Sequence, residues 1–249
     1  MKVAIMSHNR HHSIGDKTLK LMDEEGFDPA DVTIFVHNEQ QKKTYEDYID
    51  KKWNVVVGAD HGEEGQTGYT KQFGFMFNYY EEGTDVIFSD DDIAGMLVNP
   101  KCDYMYKGLK KFCEGAFAEN ARLGCHLWGL YPSANAFFLQ DTVSYELNLI
   151  IGQFYGMRIR HEDWITVPMK TDYELTIKHY IKDGMVCRYN WLASKSKVYA
   201  GKGGLQTPER AELSREGANL LLSRYPQFVK RKKSKGKFDE ISLKKLKKR

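Results

Sequence analysis

The chain has 249 residues, of which 41% are hydrophobic and 29% charged. That balance excludes an intrinsically disordered chain, and with no uninterrupted apolar run of about 18 residues it offers no bilayer-spanning helix. The net charge of +3 hides an asymmetry: residues 230–249 hold eleven basic and two acidic residues, +9, against −6 for the rest, and such a tail suggests a polyanionic partner.

Met1-Lys2 runs straight into Val3-Ala4-Ile5-Met6. This apolar run is too short for a secretory signal, so the protein is expected to stay inside the cell that makes it. Val3–Met6 reads as a buried strand, followed by the polar turn Ser7-His8-Asn9-Arg10. Residues 17–25 have helical spacing, with Gly26 as a stop. Residues 32–36 form a second strand that ends at His37-Asn38. Residues 45–49 suggest a short helix, and residues 53–57 a third strand closed by Gly58. A turn-rich stretch with Gly62, Gly65 and Gly68 precedes a helix over 70–80. Residues 85–89 are a fourth strand and lead into Asp90-Asp91-Asp92. This alternation predicts an α/β fold with a mostly parallel sheet flanked by helices. The polar segments all fall at strand C-termini, where such sheets bind ligands.

The second half is less regular. Residues 105–113 suggest a helix, 134–139 a strand, 144–155 a mostly apolar helix, and 172–183 an acid-headed helix. Gly201, Gly203 and Gly204 mark a loop, and a helix over 207–223 opens with Pro208. The chemistry-free reading of Cys102, Cys113, Cys125 and Cys187 is free buried thiols, since no Cys-x-x-Cys pair occurs. Residues 1–229 read as one domain, and 230–249 as a basic tail expected to be mobile or weakly helical. Ile241, Leu243 and Leu246 are the stripe on which it would dock.

Asp90-Asp91-Asp92 carries the sharpest chemical signal. In an extended segment Asp90 and Asp92 share a face. Two carboxylates at a strand end suit Mg2+ or Mn2+ bound together with substrate phosphate oxygens. The competing reading is an acid-rich helix start. The loop from Gly62 to Gly68 and the nearby Lys71 suit a diphosphate, although neither a Walker nor a dinucleotide fingerprint is present. Ser7 and Arg10 are candidates for holding a nucleotide, or else a cap and a surface ion pair. Asp172 and Glu174 are the candidate general bases for an acceptor hydroxyl. Their plain alternative is a pair of first-turn carboxylates.

Together these segments resemble the GT-A class of nucleotide-sugar glycosyltransferases. The resemblance rests on Val3-Ala4-Ile5-Met6-Ser7-His8-Asn9-Arg10, Ile34-Phe35-Val36-His37-Asn38, and Val86-Ile87-Phe88-Ser89-Asp90-Asp91-Asp92-Ile93. It implies a GT-A-like, Rossmann-related fold. The DxD motif of the class falls on Asp90-Asp91-Asp92, with Asp90 and Asp91 toward the donor and Asp90 and Asp92 toward the metal. Its base motif falls on Thr171-Asp172, with Thr where Glu is usual. Within the class the chain is similar to the TET/JBP-associated glycosyltransferases of phages and kinetoplastids. This likeness uses Trp128-Gly129 with Asn135, Gly152 to Gly156, Thr171-Asp172-Tyr173-Glu174-Leu175, Asp183-Gly184 with Arg188, and Gly203-Gly204.

That likeness implies a nucleotide-sugar donor, a UDP-sugar above all, and a divalent cation. It also implies a hydroxymethylated pyrimidine in DNA as acceptor, in the cytoplasm of a phage-infected bacterium. Such a base must be flipped out or single-stranded. Trp128, Tyr131 and Trp191 are then candidate stacking partners, with Asn135 beside them. Lys230, Arg231, Lys232 and Lys233 would meet the DNA backbone. The rivals are a glycosyltransferase acting on protein, glycan or small molecule, a nucleotidyltransferase, and a non-catalytic nucleic-acid-binding module.

Overall fold

Four short apolar runs in the first half form four parallel strands: β1 (Lys2–Met6), β2 (Val32–Val36), β3 (Asn54–Val57) and β4 (Asp85–Asp90). The computed structural model describes residues 1–58, 68–98, 106–162, 165–196, 210–232 and 240–246. β1 lies between β2 and β4, with Ile5 opposite Ile34 on one side and Ser89 on the other. Both faces of these strands are covered, which is why they read as continuous rather than alternating apolar runs.

The connections are helical. α1 (His11–Ile14) passes through a π-turn (Gly15–Leu19) into α2 (Lys20–Glu24). α3 (Glu39–Tyr48) joins β2 to β3, and α4 (Gly68–Tyr79) precedes β4. Of the loop expected to cradle a diphosphate, Gly62 to Gly68, residues 62–67 lie outside the described residues and Gly68 opens α4.

The second half adds β5 (Met96–Val98), α5 (Leu109–Leu123), β6 (Leu127–Leu130), β7 (Val143–Ser144), β8 (Phe154–Arg158), α6 (Thr171–Asp183), β9 (Cys187–Tyr189) and β10 (Leu192–Ser194). The main sheet has eight strands in the order β3-β2-β1-β4-β8-β6-β9-β7. β8 is antiparallel to β4 and β6, and β7 is antiparallel to β9; the other main-sheet strands run together. β10 pairs with β5 in a separate ribbon.

Two expected elements are different. Residues 144–155 do not form a helix: they hold the end of β7, a loop and the start of β8. Leu147, Ile150, Phe154 and Tyr155 are buried while Tyr145 is exposed, and short apolar runs of this kind cannot be separated from a buried helix by periodicity. Residues 134–139 are not a strand but a 3-10 turn (Ala136–Phe138) capped by Asn135, with Phe137 and Phe138 exposed. The helix expected from residue 105 begins at Leu109 and runs ten residues past its expected end, to Leu123.

The tail is partly ordered. After α7 (Arg210–Arg224), β11 (Val229–Arg231) pairs antiparallel with β12 (Ile241–Leu243). Ile241 is indeed a docked apolar residue, but on a strand. The Tyr173 hydroxyl donates to the Ile241 carbonyl at 3.0 Å, which ties this ribbon to α6. β11 therefore crosses position 230, where the sequence suggested that the domain ends.

Candidate active site

A cavity of about 510 Å³ opens at the C-terminal edge of β1, β2 and β4, a size suited to a small-molecule ligand. Its floor is the sheet, at Ala4, Phe88 and Tyr155. One wall is α4, through Tyr69, Gln72, Phe73 and Met76. The other is Pro168 and Met169 with the start of α7 at Arg210 and Leu213. The rim carries Ser7, His8, Arg10, His37 and all three of Asp90, Asp91 and Asp92.

The triplet is divided by its partners. Asp91 is buried and accepts from Ser7 Oγ at 2.5 Å and from Arg10 Nη1 at 2.7 Å. Tyr45 hydroxyl ties both ends together: it lies 2.6 Å from Ser7 Oγ and accepts from the Arg10 backbone N–H at 2.9 Å. Ser7 and Asp91 thus reach the cavity, but their polar atoms are engaged with one another. Arg10 also approaches Asp92, at 3.4 Å.

Asp90 is different. Among the described residues its carboxylate has no hydrogen bond or ion pair. Burial, then the charges of Asp91 and Asp92, push its pKa well above the usual carboxylate range, against the pull of Arg10. Asp92 is raised for the same leading reason. Crowded, underneutralised carboxylates fit a divalent cation. No group of three or more His, Cys, Asp or Glu side chains among the described residues is arranged to hold a metal. A cation at Asp90 and Asp92 would therefore need ligand oxygens as well, the habit of Mg2+ with phosphates.

Asp172 sits in the first turn of α6, just after Lys170, whose φ is 64°. Asn9, at 55°, is the other non-glycine residue in the left-handed region among the described residues, so both such residues flank the site. Burial raises the Asp172 pKa to about 6, against a hydrogen bond from the Tyr173 N–H and the charge of Lys170. Its charge acts on Tyr69 and Tyr155, which line the cavity.

Glu174 is not a base available to a ligand. It is 0% exposed and accepts from Thr166 N at 2.6 Å, Thr166 Oγ1 at 2.6 Å and Val167 N at 3.1 Å. Lys178 at 3.8 Å and Arg224 at 3.7 Å compensate its charge. This carboxylate fixes the segment that presents Pro168 and Met169. Close packing of α7 does the same, since a side chain at Gly217 would strike the Met169 carbonyl. Glu174→Gln should therefore lower stability by about 1–3 kcal/mol, the cost of depriving the donors of Thr166 and Val167 of their charged acceptor. A thermal melt checks this, and an unchanged Tm refutes the anchoring role.

Other expected site residues lie elsewhere. Trp128 is fully buried among Phe112, Phe117, Phe154 and Tyr189, so it is core and not a stacking partner. Its indole lies across Gly156, its register partner, where any side chain would collide with it. The Trp128 and Gly156 signals thus record one packing contact. Asn135 is exposed and does not line the cavity; its Oδ1 caps its own turn, accepting from Phe137 N at 3.1 Å. Lys71 is on α4 but not on the face that lines the cavity: that face recurs at 69, 72, 73 and 76. Tyr131 lies under the Arg188 guanidinium, 5.5 Å from it, and Trp191 packs on Tyr106 and Phe112. Neither lines the cavity. Lys230, Arg231 and Lys232 are exposed on and beside β11. Lys233, Gly203 and Gly204 lie outside the described residues.

Tyr69, Tyr155, Gln72 and His37 are cavity residues that the motifs did not single out as ligands. His37 carried a signal as the polar end of β2, and Tyr155 fell inside the Gly152 to Gly156 segment without being named.

The architecture is that of solved GT-A glycosyltransferases. The chain superposes on residues 1–349 of TarS from S. aureus with a TM-score of 0.52 at 15% identity, covering 89% of this chain and 66% of that one, just under two thirds. It superposes on glucosyl-3-phosphoglycerate synthase from Mycobacterium tuberculosis, in complex with Mn2+, UDP-glucose and phosphoglyceric acid, with a TM-score of 0.53 at 13% identity, covering 90% and 78%. The fold is thus GT-A-like, as the strand order and the acidic triplet led one to expect. No protein-family profile and no curated protein matches the sequence. No helix among the described residues is long and apolar enough to cross a membrane.

Proposed function

We propose that this chain is a glycosyltransferase that moves a sugar from a nucleotide-sugar to an acceptor hydroxyl. The observation that carries this reading is the joining of Asp90, Asp91 and Asp92 to a ligand-sized cavity at the end of β4. A donor diphosphate cannot approach three carboxylates unaided. Asp90 and Asp92 would hold a divalent cation, which when bound neutralises charge on the departing nucleoside diphosphate. Arg10 and Ser7 hold Asp91 and so set the position of the triplet. Asp172 takes the proton of the attacking hydroxyl as that oxygen bonds to the anomeric carbon. The leaving diphosphate departs with the electrons of the old bond, and a direct displacement inverts the sugar.

UDP-sugar and Mn2+ are the donor and cation of choice to try, because the mycobacterial synthase was solved with both. Incubation with a panel of nucleotide-sugars and Mn2+ should release nucleoside diphosphate. Release of pyrophosphate from nucleoside triphosphates would make it a nucleotidyltransferase instead.

The finer reading is a DNA acceptor, a hydroxymethylated pyrimidine presented out of the duplex. The phage-type sequence likeness and the exposed Lys230, Arg231 and Lys232 support it. Because the β11–β12 ribbon is docked, charge reversal tests this better than deletion. Lys230→Glu with Lys232→Glu should weaken DNA binding and flatten its log–log salt slope by about 0.9 per lost phosphate contact. Activity on a free modified nucleoside should stay the same. An unchanged affinity and slope would remove the ribbon from the DNA contact. Mass spectrometry of nucleosides from treated DNA then identifies the acceptor base.

A further inference from the structure

The Tyr155 hydroxyl is buried and has no hydrogen-bond partner among the described residues. The side chain is 1% exposed, yet it lines the floor of the cavity. Its position is well determined. Tyr155 pairs with Phe88 across β8 and β4, and the two rings stack at 5.1 Å with 10° between their planes. Phenylalanine at this position would keep that stack without stranding a polar atom. A buried hydroxyl with no partner is destabilising, and folded proteins keep few of them. The phenol is therefore matched to something the described residues do not provide.

Its surroundings indicate what that is. Burial first, and then Tyr69, Asp90 and Asp172, hold the phenol in its neutral form, well above its ordinary pKa. A neutral phenol can both donate and accept a hydrogen bond. Asp90 and Asp172 act on it from two parts of the fold, the end of β4 and the start of α6. Tyr69, also on the cavity wall, is hydrogen-bonded to Thr171, the neighbour of Asp172. If the reading above holds, Asp90 marks the departing diphosphate and Asp172 the attacking hydroxyl. The part of the ligand that lies between those two is the sugar, a ring of hydroxyls that donate and accept.

We propose that the Tyr155 hydroxyl is a specificity-determining contact to the transferred sugar, hydrogen-bonded to one of its ring hydroxyls. This rests on the glycosyltransferase reading. The contact acts on the sugar and not on the nucleotide, and that separates it from a packing role.

Tyr155→Phe removes the hydroxyl and keeps the stack. The probes are UDP-glucose and UDP, each with Mn2+, or the donor and diphosphate pair that the donor screen identifies. Calorimetry should show the variant binding the nucleotide-sugar about tenfold more weakly, as expected for one lost hydrogen bond, and binding the diphosphate as before. Its Tm should be equal to that of the wild type or higher. Among singly deoxygenated sugar donors, one should bind the wild type about tenfold more weakly and bind the variant no worse than the parent donor does. Equal affinities for the nucleotide-sugar in both proteins would overturn the proposal, leaving the hydroxyl to a bound water. Equal weakening of both ligands, or a lower Tm, would also overturn it, in favour of a structural role. If the wild type binds no nucleotide-sugar at all, the proposed function fails and this contact fails with it. If it binds one and the variant matches it, only the contact fails.

Discussion

Asp90→Asn or Asp92→Asn should reduce kcat/KM for sugar transfer by about a thousandfold, and EDTA should do the same to the wild type. A bound cation contributes several kcal/mol to stabilising a leaving phosphate, and each 1.4 kcal/mol is tenfold in rate. The stability of the Asp90 variant should move the other way. Asp90 has a folded-state pKa well above the ordinary carboxylate range, chiefly from burial. Its folded form thus binds a proton that the unfolded form has released, and stability falls as pH rises from the ordinary carboxylate pKa to the raised one. D90N removes that cost, so it should melt no lower than the wild type at neutral pH while being inactive. Asp91→Asn supplies the contrast. It breaks the bonds to Ser7 and Arg10, so it should melt lower. Full transfer activity of D90N, or of the wild type in EDTA, would remove the cation from the mechanism.

The first half of the fold was legible because its strands are short apolar runs between helical segments, and the strand bounds at 32–36 agree to the residue. The rim was legible for the same reason: polar residues directly after β1, β2 and β4 have to share an edge once those strands are parallel. The second half was opaque where burial is continuous. Phe154 to Met157 are all buried, so no alternation distinguishes β8 from a helix. Tyr155 was consequently never placed beside Phe88. Chemistry at a distance was equally hidden. Asp172 and Glu174 are two residues apart and equally acidic in sequence. Only the fold gives Glu174 its partners Thr166, Val167, Lys178 and Arg224 and leaves Asp172 without them, next to Thr171, the partner of the cavity residue Tyr69. Trp128 and Gly156 show the reverse case, in which two residues that looked like binding signals are a single steric fit.

Asp172→Asn should lower kcat by about 10²–10⁴, the usual worth of a positioned base, with donor affinity unchanged. The pH profile identifies the group. Asp172 has a pKa near 6, because burial outweighs the Tyr173 N–H and Lys170. Only the ionised form accepts a proton, so kcat/KM should rise with pH through about 6 and level off above it. The residual rate of the variant should lose that limb. Stability should follow the opposite course. The folded pKa exceeds the model-peptide value of 3.8, so between about 4 and 6 the folded state holds the extra proton and stability falls as pH rises. The shift sets an upper limit of about 3 kcal/mol on this cost at neutral pH. Solvent access to the partly exposed side chain reduces it. D172N should therefore be strongly impaired in turnover and slightly more stable than the wild type above pH 6, and equal to it in stability near pH 4. A group held for packing would lose stability on substitution, and a surface carboxylate would move neither quantity. If D172N keeps near-normal kcat, or keeps a limb at pH 6, the proton goes to another group, and the assignment of α6 as the acceptor side of the cavity falls with it.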